Sequence, residues 1–458
     1  MTLHLDYLTY PLPEDVERLI AAGDFPRARR IIGQRLEDPK IPKILAPRLR
    51  HALYTMEEME KSYTISEKEM LSSLNEALTD FRPEEMEKFR DDGSLDWIYR
   101  EGRVFYKDNA IASLLKSHPD LSPRCKDREK VAQVQAQQAF LNQTIASMKE
   151  KGHMKVRFRL KTTFSLLTQC PGENLRVYLP LPLKDAQSLP LDIQTHPPAR
   201  FLSGESYPQR TAFWEAPYRE NDTFTTDCTW IMDAPYCSPD PALVSPEQPH
   251  FDTEEILPHI RFTPFIRALA DELKGEETNP LLIARRFYDY VTVNACYRFV
   301  PSYLTKPDIP AYFAAGLRGD CGMHALLFIT LCRCVGIPAQ WQAGLFVTPE
   351  HVGSHDWARF YIAPYGWLYA DGSFGGSAYR AGDLERWNFY FGNLDPWRLV
   401  ANRDFQQAFD PPMVHLRADP YDNQQGEAEY THRGLSHSET RTDWELVEWE
   451  EMKSYDSQ

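Results

Sequence analysis

The stretch 319–344 reads GDCGMHALLFITLCRCVGIPAQWQAG, and 353–376 reads GSHDWARFYIAPYGWLYADGSFGG. Between them they present a cysteine, a histidine and an aspartate in that order: Cys321, His355 and Asp371. Ala325, Phe328, Cys332 and Val335 follow Cys321 at steps of four, three, four and three, which predicts a helix with one buried face. Asp320 suits the N-cap, and Gly336 with Pro338 ends the helix. Cys321 is therefore expected at a helix N-terminus, where unpaired N–H groups and the macrodipole favour a thiolate and can hold an oxyanion. Asp320 opposes this with a nearby negative charge.

Two strands are expected next, over 339–347 and 355–362. A turn at Pro364-Tyr365-Gly366 leads into a third over 367–371, and Gly372 breaks it. The turn makes a hairpin that brings His355 and Asp371 near each other at its open end. A thiol attacks as the thiolate and needs a base held by a third group. Each of Cys321, His355 and Asp371 thus has a context that suits a catalytic role.

Four motifs, Gly319-Asp320-Cys321, Gly336-Ile337-Pro338-Ala339, His355-Asp356-Trp357 and Gly366-Trp367…Asp371, together resemble the transglutaminase-like superfamily of papain-type cysteine enzymes, in its bacterial form. The resemblance covers roughly residues 280–375. It implies an α+β fold with a helix packed on an antiparallel sheet, and a triad of Cys321 as nucleophile, His355 as base and acid, and Asp371 as the group that orients the imidazole. It also implies an aromatic or polar side chain upstream of the cysteine as second oxyanion donor. Tyr297 and Tyr303 are the candidates, and Tyr297 is preferred. Asp356 departs from the family, which often has a small or apolar residue there. It is expected to line the substrate groove with Trp341 and Trp357. The alternative for the three tryptophans Trp341, Trp357 and Trp367 is plain core.

Other readings of the same residues compete. Cys321 could be a buried structural thiol. A zinc site would need Cys321, His324, His351 and His355, of which only the first two are close in helical phase; no metal and no cofactor is expected. Cys332 and Cys334 point to different faces of a helix and make no redox or metal pair.

The chain has 458 residues, room for several domains, and 42% hydrophobic residues to build them. A net charge of −15 argues against a nucleic-acid or anionic-membrane surface. The cysteines at 125, 170, 228, 237, 296, 321, 332 and 334 are scattered, which suits reduced thiols in the cytoplasm. The start MTLHLDYLTYPLPEDVERL lacks a signal-peptide pattern, and no apolar run approaches a bilayer span.

Around the catalytic region, 252–405, further regions are expected. Residues 1–150 read as a helical domain, with stripes Val16/Leu19/Ile20 and Ala28/Ile31/Ile32/Leu36 and a long helix ending near Gly152. It could bind a protein partner, cover the cleft, or only stabilise. Residues 152–237 read as a small antiparallel β-sandwich, opened by the alternation Met154, Val156, Phe158, Leu160 against Lys155, Arg157, Arg159, Lys161. That basic face could meet an acidic partner or water. Residues 238–251, rich in proline, read as a linker. Asn393, Asp395 and Arg398 read as a buried clasp or a groove wall. Residues 406–458 form an extension whose strand, carrying Trp444 and Leu446, should pack on the core. The expected chemistry is acyl transfer through a thioester, most simply hydrolysis of a peptide or amide. Transfer to an amine, or an interaction protein with a relic triad, are the alternatives.

Overall fold

Helix Cys321–Cys334 is apolar on nearly every side, and such a helix must be covered all round. It is: residues 322–333 are all buried. The computed structural model describes residues 5–168 and 170–453. The ends of the expected N-terminal domain (1–4) and C-terminal extension (454–458) lie outside the described residues. Asp320 caps the helix by accepting from the Met323 N–H at 3.4 Å. Gly336 ends it at φ +82°, a backbone region that costs glycine nothing, while the Ile337 N–H reaches the Cys332 carbonyl at 2.9 Å.

One face of the helix lies on an antiparallel sheet. Among the described residues its strand order is Phe391–Gly392, Gly366–Ala370, His351–Ile362, Ala339–Thr348, Arg398–Asn402. Phe328 of the helix meets Phe360 of the sheet edge-on at 5.5 Å between ring centroids. Helices Pro264–Lys274, Pro280–Asn294, Ile309–Gly316 and Gly372–Arg380 close the other sides. The architecture is the expected α+β core. His355 pairs with Gly344 and Asp356 with Ala343. Gly344 has a packing reason: a Cβ there would collide with the Leu399 carbonyl of the next strand.

The opposite face of this sheet is covered by a β unit of two sheets. One orders Glu427–Tyr430, Asn174–Pro180, Thr211–Pro217, Phe201–Leu202. The other orders Thr440–Glu451, His153–Leu166, Thr223–Pro235, Ser188–His196. Trp214 and Phe224 meet between them. The unit docks through Asp185, which pairs with Arg359 at 2.9 Å, and through the Trp230 indole, which donates to the Arg398 carbonyl at 3.0 Å.

The C-terminal strand takes its backbone pairing from the long strand His153–Leu166, while its Trp449 ring meets Trp397 of the catalytic region at 5.2 Å between centroids. Two expectations, on the helical domain and on the linker, need correction. The first 150 residues are not all helix, since Ile65–Ser66, Trp97–Arg100 and Arg103–Tyr106 form a small sheet. The basic strand face lies at the solvent surface, where Arg157 pairs with Glu448 at 2.6 Å and Arg159 with Asp227 at 2.8 Å. The proline-rich stretch is no free tether, because the Ser245 N–H donates to Ala363 and Gln248 accepts from the Ala363 N–H, strapping it to the hairpin turn. No helix among the described residues is long and apolar enough to cross a membrane.

Replacing Gly344 by alanine should force apart strands Ala339–Thr348 and Arg398–Asn402, at a cost of about 1–3 kcal/mol or more. Urea unfolding of Gly344→Ala checks this; a midpoint equal to wild type would mean the strands have slack.

Candidate functional site

The site forms where the N-terminus of helix Cys321–Cys334 meets the edge of strand His351–Ile362, beyond the end of strand Gly366–Ala370. Alternation along a strand sends His355 and Asp356 to opposite faces, and it is Asp356 that meets the Cys321 sulfur. His355 turns its Nε2 to the Asp371 carboxylate at 2.7 Å and stacks against Phe374 at 4.4 Å between centroids. Asp371 directly follows strand Gly366–Ala370 and caps helix Gly372–Arg380, its Oδ1 accepting from the Phe374 N–H at 2.9 Å.

Behind Asp371 lies Arg398, fully buried. Its Nη2 stands 3.2 Å from Asp371 Oδ2 and 2.6 Å from Asp395 Oδ2. Asp395 also takes the Tyr390 hydroxyl at 3.0 Å and the Trp397 N–H at 3.0 Å. The rings of Phe346, Trp357 and Phe374 surround the guanidinium within 4.7–5.2 Å. The segment read as clasp or groove wall is a clasp, and it grips the carboxylate that holds His355.

Burial alone would raise the Asp371 carboxyl. The His355 and Arg398 charges outweigh it and hold the group down to about 2. Burial lowers His355 more than Asp371 raises it. At neutral pH the pair is thus a carboxylate and a neutral imidazole. The Nε2–H must donate to Asp371, which leaves Nδ1 as the basic nitrogen.

Cys321 has the opposite surroundings. Its thiol donates to Asp356 Oδ2 at 3.3 Å. Burial, then the charges of Asp356 and Asp320, push the thiol well above its ordinary value, and the nearby Asp356 N–H only partly offsets them. The helix N-terminus therefore does not prevail, contrary to the sequence expectation, because it shares the space with two carboxylates. Burial raises Asp320 to about 6, against hydrogen bonds from Tyr303 and the Met323 N–H. Burial also raises Asp356, to about 7, although Asp422 donates it a hydrogen bond, and Asp422 lies higher still. The two share a proton. Gln424 Nε2 donates to Asp356 Oδ1, to Asp422 at 3.2 Å and to the His355 carbonyl at 3.2 Å.

Of the two tyrosines, Tyr297 turns its hydroxyl to the Cys321 thiol, whereas the Tyr303 hydroxyl donates to Asp320. The groove expectation is corrected for the tryptophans. Trp341 is 2% exposed, with its ring edge under Gly322 beside Asp356. Trp357 is 0% exposed, on the other face, its indole donating to Gln342 at 2.8 Å. The strand that presents Asp356 to the cleft must turn Trp357 inward. His324 is neutral, lowered to about 4 by burial, and bonded through Nδ1 to the Asp320 carbonyl at 2.7 Å. No cluster among the described residues could hold a metal ion.

Sequence reasoning missed Asp422 and Gln424, which sit in no motif and arrive only by chain folding. It noticed Arg398 but not its tie to Asp371; a buried-looking arginine between aromatics was the available signal.

Removing the guanidinium tests that tie. Arg398→Met leaves two buried carboxylates facing each other and should cost about 3–5 kcal/mol at neutral pH. The Asp371 pKa is lower folded than unfolded, so its stabilisation is full above the ordinary carboxyl range and fades as pH falls through about 2. Urea unfolding across acid pH should therefore show wild type losing more stability on acidification than Arg398→Met. Parallel curves would dismiss Arg398 as the cause.

Comparison with known proteins bears on this region. Residues 267–372 match the model of the transglutaminase-like superfamily. An uncharacterized protein of Haemophilus influenzae is 26% identical over 146 residues, covering 26% of this chain and 40% of that relative's length. A provisionally assigned cysteine protease from Cytophaga hutchinsonii superposes with TM-score 0.39 at 14% identity, over 66% of this chain and 92% of its own. The periplasmic domain of TgpA from Pseudomonas aeruginosa does so with TM-score 0.27 at 16% identity, over 54% of this chain and 96% of its own. Cys321, His355 and Asp371 all fall within the segment that matches the transglutaminase-like superfamily.

Proposed function

We propose that the chain is a cysteine-dependent acyl-transfer enzyme that hydrolyses a peptide or amide bond through a thioester on Cys321. The carrying observations are the buried His355–Asp371 pair at 2.7 Å, with Nδ1 as its remaining base, and a half-buried thiol at the N-terminus of the central helix.

In the resting state the thiol keeps its proton and donates it to Asp356. Substrate displaces that hydrogen bond, and the thiol proton passes to His355 Nδ1. The sulfur then attacks the carbonyl carbon. The oxyanion is held by the Cys321 N–H and the Tyr297 hydroxyl, which burial keeps firmly protonated. The imidazolium, steadied by Asp371, gives its proton to the leaving amine. Water, deprotonated by His355, attacks the thioester; the tetrahedral intermediate collapses, the acid leaves, and the proton returns to sulfur. Unpaired cysteines throughout the described residues suit a reducing compartment such as the cytoplasm.

A second reading has its own support. Asp320 and Asp356 lie beside the sulfur, and a pair of carboxylates suits a cationic amine as the acceptor instead of water. Release of free amine or ammonia with and without an added primary amine separates the two.

Trace alkylation by iodoacetamide from acid to alkaline pH tests the core of the proposal. Cys321 labelling should depend on His355 and vanish in Cys321→Ala. Slow labelling unaffected by His355→Ala, in folded protein, would favour a relic site. Once a substrate is in hand, Asp371→Ala should lower turnover about 10²–10⁴-fold without unfolding the chain; full activity would remove its role.

Asp356→Asn isolates the carboxylate. Losing its charge should lower the thiol pKa and speed alkylation near neutrality several-fold. Slower labelling would instead make Asp356 the working base.

A further inference from the structure

Lys116 lies far from Cys321 in sequence, on helix Ala110–Ser117. The fold brings it to the site. The Ser113 hydroxyl accepts from the Phe299 N–H at 3.1 Å, and the Ser117 hydroxyl donates to the Tyr297 carbonyl. These two ties lock the helix onto residues 297–299. Residues Cys296–Tyr297 pair in parallel with Arg318–Gly319, immediately before the Asp320 cap. Lys116 Nζ rests 4.3 Å from the Tyr297 ring centroid and 4.7 Å from that of Phe299. It is therefore one tyrosine ring away from the thiol.

Two features set this lysine apart. Its ammonium forms no hydrogen bond or salt bridge among the described residues; aromatic faces alone hold it. The charges of Cys321, Asp320 and His351 also lie within its electrostatic reach. Burial lowers its pKa somewhat, with Cys321 and Asp320 opposing. A cation held on rings, left without an anion, and aimed along the approach to a thiol is a recognition element awaiting a negative group.

We propose that Lys116 is a specificity-determining residue of this site, binding a carboxylate of the acyl substrate close to the bond that Cys321 attacks. The proposal rests on Cys321 being the reactive thiol. The carboxylate is either the free end of a short peptide or an acidic side chain beside the scissile bond. The region before residue 150 would then supply part of the active site, not only its support.

The test compares alkylation of Cys321 by iodoacetate and iodoacetamide in wild type, Lys116→Met and Lys116→Arg. Both reagents lose iodide to the same thiolate, so their rate ratio cancels the thiolate fraction and reads only the charge at the approach. A change in thiol pKa, or a dead His355, moves both rates together and leaves the ratio alone. The ratio of iodoacetate to iodoacetamide should fall about tenfold in Lys116→Met, hold in Lys116→Arg, and shrink in wild type as salt is added. Protection by acetyl-dialanine but not its amide assigns the chain terminus; protection by acetyl-glutamyl-alanine amide assigns the side chain. An unchanged ratio in Lys116→Met overturns the proposal. If Cys321 resists both reagents, the same peptides are titrated against Cys321→Ala with and without Lys116→Met, and equal affinities overturn it.

Discussion

A guanidinium with no access to water must be paired within the protein, and Arg398 is such a group. Asp371 and Asp395 meet that need on one nitrogen, and three aromatic rings flank the rest. Because Asp371 also terminates a strand, caps a helix and receives the His355 ring, one buried charge fixes all three at once. The strand that begins with Arg398 pairs with Ala343–Phe346, and the Arg398 carbonyl takes the Trp230 indole of the β unit. The candidate site and the unit behind it are therefore joined through one residue.

The electrostatics of Cys321 are asymmetric. Burial, then the carboxylates of Asp356 on the histidine strand and Asp320 at the helix cap, raise the thiol pKa, so the resting sulfur holds its proton. The His355 imidazole is kept neutral by burial and aimed by Asp371. In this arrangement the pair rests unionised, and ionisation waits for something to displace the thiol from Asp356. Tyr297 and Lys116 lie on the other side, one offering a hydroxyl and the other a positive charge.

The β unit shows how pairing needs override chain order. Strand His153–Leu166 is long and would be an exposed edge if the sandwich ended at Pro235. Thr440–Glu451 covers it, and Glu427–Tyr430 does the same for Asn174–Pro180. Alternation announced each strand, but alternation says nothing about which neighbour a strand will take.

The sequence by itself determined the local pieces. Periodicity with the Asp320 cap and the Gly336 stop set the central helix; the hairpin turn at 364–366 set the register that brings His355 to Asp371. These are short-range matters, decided by backbone propensities and by turn geometry over a few residues. Tertiary structure alone decided what surrounds the sulfur. Asp422 and Gln424 come from beyond residue 420, Arg398 from the next strand, and Lys116 from two hundred residues upstream. Their effect is electrostatic and depends on distance and burial, which no spacing in the chain encodes. For the same reason the dipole argument for a thiolate failed, since it weighed the helix end without the carboxylates that folding placed against it.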